Sequence, residues 1–163
     1  MNTQEQQPLS SAALALLTEL RHWTASLPPK SVVVREDHNP NYGGVLFEVR
    51  PATTNAMDVT VGLGSSDEVD MFWGDGYRWE GWKATPREVL EMCEAIKDGD
   101  VIEETWRLGR FVLERRCYIR VQGQRVGDGS FPVPQWLKKW ARLSVRTYSP
   151  WLAGAADVTN GRR

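Results

Sequence analysis

The densest run of side chains able to do chemistry lies between Asp67 and Trp82. Asp67, Glu68, Asp70, Asp75 and Glu80 are interspersed there with Trp73, Tyr77, Trp79 and Trp82, and Gly74, Gly76 and Gly81 break the run. Two facing carboxylates beside indoles could act as acid and base in glycoside hydrolysis, with the rings stacking on sugars. That chemistry needs a set carboxylate separation and pKa values driven apart, and spacing along the chain supplies neither. The same composition suits a protein interface, where indoles anchor by desolvated area and carboxylates steer a basic partner. Asp67, Glu68, Asp70, Trp73, Asp75, Tyr77, Trp79, Glu80 and Trp82 are therefore the candidate partner-binding residues. A carbohydrate-active or hydrolytic enzyme using Asp70, Asp75 and Glu80 is the third reading.

Other chemistries fall away on residue type. The acids lack the D-x-[DN]-x-[DN]-G spacing and closing glutamate of a calcium loop. Two histidines, His22 and His38, do not make a histidine-based metal site, so neither metal nor cofactor is expected. There is no G-x-S-x-G elbow, and Cys93 and Cys117 each sit among core-like neighbours. Gly62-Leu-Gly64 and Gly127-Asp-Gly129 lack the lysine of a phosphate loop and read as turns.

The basic residues support the second reading, a nucleic-acid-binding module. Arg107, Arg110, Arg115, Arg116, Arg120 and Arg125 surround Phe111 and Tyr118, and Lys138, Lys139, Arg142 and Arg146 follow. Guanidinium groups hold phosphates and aromatic rings stack on bases. The plainer alternative is a solvated or acid-paired sheet face, with Glu114, Arg116 and Arg120 on one side and Arg115 on the other.

These residues belong to a chain of 163 residues, 41% hydrophobic and 25% charged, which fits one globular domain over 1–163. Residues 1–8 and 157–163 are expected to fray. The net charge of -1 hides a split. Residues 1–106 hold 8 Lys and Arg against 18 Asp and Glu, a balance of -10, while 107–163 hold 12 against 3, a balance of +9. Either the molecule has an acidic and a basic face, or, more plainly, the halves interleave in one sheet and neutralise each other across strands. No run approaches the ~18 apolar residues of a membrane span. The first residues lack the basic start of a secretory signal, and two unpaired thiols suit a reducing compartment. A cytoplasmic location is the expectation.

Periodicity places the elements. Ala13, Leu16, Leu17, Leu20, Trp23 and Leu27 recur at helical spacing behind Ser10 or Ser11, and Pro28-Pro29 stops that helix. Strands are expected at Ser31–Glu36, Val45–Arg50, Ala56–Leu63 and Asp67–Trp73. Thr85-Pro86-Arg87-Glu88 is a capping box that opens a second helix, and Gly99 closes it. Val101–Leu108 and Arg110–Val126 read as two further strands, the latter with a turn at Gly123. Pro134–Leu143 reads as a short amphipathic helix whose Trp136 and Trp140 dock on the core. The fold expected is α+β, an antiparallel sheet of about six strands with an N-terminal, a central capped and a short C-terminal helix.

The run from Met57 to Val126 resembles small bacterial immunity proteins of polymorphic and contact-dependent toxin systems. Hydrophobic strands (Met57 to Leu63) lead to an aromatic-acidic loop (Val69 to Trp82). A capped helix ending in an acidic-glycine turn (Thr85 to Gly99) and two paired strands (Val101 to Val126) follow. The chain departs from commoner versions of the pattern in having no histidine from Trp79 to Trp82. The resemblance implies a non-enzymatic protein that binds and blocks a cognate toxin.

Overall fold

The structure, a computed structural model, describes residues 8–39, 43–74, 76–126 and 135–152. Helix α1 (Ser11–Ala25) begins where the Ser10 hydroxyl accepts the Ala13 N–H at 3.1 Å. Its stripe of Ala13, Leu16, Leu17, Leu20 and Trp23 is buried. Helix α2 (Pro86–Lys97) opens on the foreseen capping box: the Thr85 hydroxyl accepts the Glu88 N–H, and the Glu88 carboxylate accepts the Thr85 N–H at 2.7 Å. At its end Asp100 N–H donates to Ala95 O and Gly99 N–H to Ile96 O, a paired closure that needs a left-handed residue. Gly99 supplies it at φ +78°.

Between the helices the chain forms a meander of antiparallel strands in the order β1-β2-β3-β4-β5 (Val32–Asn39, Gly44–Pro51, Val59–Leu63, Val69–Trp73, Tyr77–Trp82). Strict alternation puts Val45, Phe47, Val49, Val59, Val61, Met71 and Trp73 on the core side. Glu48, Thr60, Asp70 and Phe72 lie on the outer side, the usual division for a sheet with one solvated face.

The second sheet has the order β8-β7-β6-β9, from β6 (Val101–Leu108), β7 (Phe111–Val121), β8 (Gln124–Val126) and β9 (Arg142–Thr147). Val101, Cys117 and Ile119 carry it into the same core as the first sheet and both helices. A four-residue helix, α3 (Gln135–Lys138), precedes β9.

The segment after β9 ties the layers together. Trp151, 1% exposed, donates its indole N–H to Met57 O at 2.7 Å and packs 5.8 Å from Trp23. Its backbone N–H bonds to Lys97 O, and Ser149 N–H bonds to Asn55 O. The strap passes so close to α2 that a Cβ on Gly99 would meet Tyr148 O at 2.7 Å.

The α+β class with antiparallel pairing is as expected, but about six strands in one sheet become nine in two among the described residues. Residues 77–82 form a strand rather than a loop, and 142–147 form one that the helix reading had partly covered. Trp136 and Trp140 do not dock on the core; they are 65% and 78% exposed. The strand carrying Leu143 pairs with β6, which draws the chain away from a long helix. The Gly127–Gly129 turn, residues 1–7 and the 157–163 tail lie outside the described residues.

Candidate functional site

Strand β5 explains what the acidic-aromatic run does. Val69 pairs with Trp82 and Met71 with Trp79, so Asp70 faces two residues, Glu80 and Gly81. This bulge rotates the chain by one position and brings Trp79 and Trp82, three residues apart, onto the same side. Gly81 takes φ +65°, and its N–H donates to Asp70 Oδ1 at 2.7 Å. The rings then form a ladder on the core side. Tyr77 and Trp73 stack at 6.4 Å, and Trp73–Trp79 and Trp79–Trp82 meet edge to face at 5.3 and 5.1 Å.

The nine candidate residues therefore separate. Trp73 is sealed at 4% exposure, its indole N–H donating to Cys117 Sγ at 3.4 Å, so it supports the strand and is not presented to a partner. Tyr77, Trp79 and Trp82 are half-buried against the core. Asp67, Glu68 and Glu80 are exposed, Glu80 beside Arg78 at 3.4 Å. Asp75 lies outside the described residues. With Asp70 holding the bulge and Glu80 beside a guanidinium, both carboxylates have structural partners.

The buried end of this ladder meets a polar seam between the sheets. Glu103 on β6 is buried; Tyr148 donates to its Oε2 at 2.8 Å and Thr105 to its Oε1 at 3.3 Å. Burial, then the bond to Glu103, pushes the Tyr148 phenol well above its ordinary range. Burial, with Glu103 nearby, does the same to Tyr77, whose hydroxyl is buried without a hydrogen-bond partner in the structure. The thiols are inert for the same reason: burial drives Cys93 up to about 12 and Cys117 up to about 11. Among the described residues no group of three His, Cys, Asp or Glu side chains is gathered to hold a metal.

A larger opening lies elsewhere. Helices α1 and α2 and the end of β7 enclose a groove of about 780 Å³. Leu90, Ala95 and Val121 supply its apolar lining, and Glu19, Glu91, Glu94, Asp98 and Asp100 supply its carboxylates. Glu91 is paired with Arg87 at 2.9 Å, and Glu94 is held by the Trp23 indole and by Lys97. Burial opposes the Lys97 charge, but Glu94 and Asp98 outweigh it and raise the lysine's pKa. Glu19 and Asp100 make no ion pair with a described residue. Pro86 lines both this groove and a separate small crevice walled by Asp67 and Glu68.

The charge split follows the architecture only in part. The strands of residues 32–82 make one sheet and those of 101–147 the other. The change of sign after Trp106, however, falls inside β6, where Glu104 is the register partner of Arg116 and Glu103 of Arg146, so in the second sheet the halves interleave as the plainer expectation held. The helix groove escaped the sequence reading because its acids come from α1, α2 and the β6 approach, which only the tertiary fold assembles. Compared with known proteins, the chain matches no family model, no curated protein and no solved structure. No helix among the described residues is long and apolar enough to cross a membrane.

Proposed function

We propose that this chain is a non-enzymatic binding protein of the immunity type, which docks a basic segment of a protein partner such as a toxin domain and blocks it. The observation that carries this reading is the groove between α1 and α2, an apolar floor of Leu90, Ala95 and Val121 lined by five carboxylates against two guanidinium groups, Arg87 and Arg120. Of the five, Glu19 and Asp100 are in no ion pair with a described residue. The floor suits the apolar side of a partner's helix or extended segment, and the carboxylates raise its association rate. Asp67 and Glu68 add exposed carboxylates around the neighbouring crevice, which shares Pro86 with the groove.

The test is co-expression with the products of neighbouring genes, followed by association kinetics on any partner that co-purifies. Glu19→Lys with Asp100→Lys should slow association by at least about tenfold at low salt. Asp37→Lys, on exposed strand β1, should leave it unchanged. A partner that ignores the groove charges, or no partner and no protection from a neighbouring toxin, would remove the proposal.

A further inference from the structure

Sheet two presents a second surface, of opposite charge, at the end where β6 turns into β7. Burial fades along these strands: β7 is buried at Cys117 to Ile119 and exposed at Phe111 and Val112, and every residue of β9 is exposed. At one level across three strands lie Val112, Arg107 and Arg142, each the register partner of the next. Arg107 and Arg142 are thus directly opposed like charges, an arrangement that costs stability. Alternation puts Arg115 on the same face, paired with Thr105, which pairs in turn with Ser144. None of the three arginines forms an ion pair with a described carboxylate. On this face Glu103 is buried and bonded to Tyr148 and Thr105, whereas Glu104 and Glu114 lie on the other face, Glu114 with Arg116.

Aromatic rings flank the same end. Phe111 is 62% exposed with the Arg110 guanidinium 5.2 Å from its ring. Trp140 precedes Arg142 by two residues, and Trp136 stands a turn earlier. Large apolar side chains are unremarkable on a surface when scattered singly, but a gathered set marks an interaction site. Leu143 and Val145, partners of Trp106 and Glu104, lie with Phe111, partner of Leu108, on the face opposite Arg107 and Arg142, so the arginine face itself offers no apolar stripe to a lipid surface.

We propose that this end of sheet two binds single-stranded nucleic acid, with Arg107, Arg115 and Arg142 on phosphates and Trp136 and Trp140 stacking on unpaired bases. A phosphate between Arg107 and Arg142 relieves their repulsion, and flat rings with guanidinium groups are the combination that unstacked bases and a phosphate backbone require. A duplex satisfies the arginines but hides its bases from the rings.

Fluorescence anisotropy with labelled oligo-dT and oligo-U of about 15 nucleotides, against a duplex of the same length, tests it. Single strands should bind better than duplex. Raising salt from about 50 to 200 mM should weaken binding roughly 20-fold if three phosphates are neutralised. Arg142→Ser should reduce that salt effect to roughly sevenfold without lowering thermal stability. Trp136→Ala with Trp140→Ala should cost about tenfold or more at fixed salt. No binding at the lower salt would overturn the proposal. So would duplex binding as tight as single strand with the tryptophan variant neutral, or anionic vesicles or polyglutamate bound where the oligonucleotides are not.

Discussion

In the first sheet Trp73, Trp79 and Trp82 lie on the core side with carboxylates around them, whereas beside the second sheet Trp136 and Trp140 stand in solvent among unpaired arginines. The difference comes from coverage. The core-side residues of β2, β3 and β4 belong to one buried cluster with the stripes of α1 and α2, so an indole on that face gains contact with a closed core. The second sheet joins that core at Val101, Cys117 and Ile119, and its hairpin end runs past it. An aromatic residue near the first sheet is therefore part of the fold. One near the end of the second adds nothing to the core and is available to a ligand.

The strongest way to break this contrast is to truncate one indole from each region. Trp73→Ala removes a sealed ring that touches Tyr77, Trp79 and Cys117, and should cost ~3–5 kcal/mol. Trp140→Ala should stay within ~0.5 kcal/mol. Urea unfolding followed by circular dichroism measures both, and equal losses would mean that Trp140 belongs to the core after all.

This contrast was half legible in the sequence. Both long helices were readable because their stripes and the Thr85 box are local signals, and β6 was read at its observed limits because Gly99 and Gly109 bound it. Strand β5 read as a loop because the bulge at Glu80-Gly81 breaks the alternation while putting Trp79 and Trp82 on one side. Strand β9 left no burial pattern to detect, since all six of its residues are exposed and its pairing with β6 is remote in sequence. Trp151, the best-buried indole, passed unnoticed because its partners, Met57, Trp23 and Lys97, come from three separate segments. Of the candidate site, the 67–80 acids were legible by type, but the groove is lined by other acids, Glu19, Glu91, Glu94, Asp98 and Asp100, which only the tertiary fold assembles.

Next in size is the seam where the two regions meet. Tyr148→Phe leaves buried Glu103 without its phenolic donor and should cost ~1.5–3 kcal/mol, since the bond is to a carboxylate. The same seam fixes a pH dependence. Burial holds Tyr77 and Tyr148 above the ordinary phenol range and Tyr118, on the other face of the second sheet, at about 12. The unfolded chain releases these protons near pH ~10. Their contribution is therefore complete below about pH 10 and is lost as pH rises toward the folded values. Unfolding midpoints should fall between about pH 9 and 11, and less steeply in Tyr148→Phe. A flat profile would show that the seam admits water.

The smallest effect discriminates most sharply between a surface shaped for folding and one shaped for a ligand. Arg107 and Arg142 face each other across neighbouring strands, where opposite charges or β-branched residues would be the stabilising choice. Arg142→Thr keeps a side chain suited to a strand and removes the repulsion, so it should raise stability by ~0.5 kcal/mol at low salt. The gain should vanish near ~1 M salt, where the screening length shrinks to about 3 Å. Arg116→Thr is the control: Arg116 bonds the buried Glu114 carboxylate at 2.5 Å, so the same chemical change should destabilise. Should Arg142→Thr also destabilise at low salt, the guanidinium is part of the fold, and the hairpin end of the second sheet no longer differs in kind from the first.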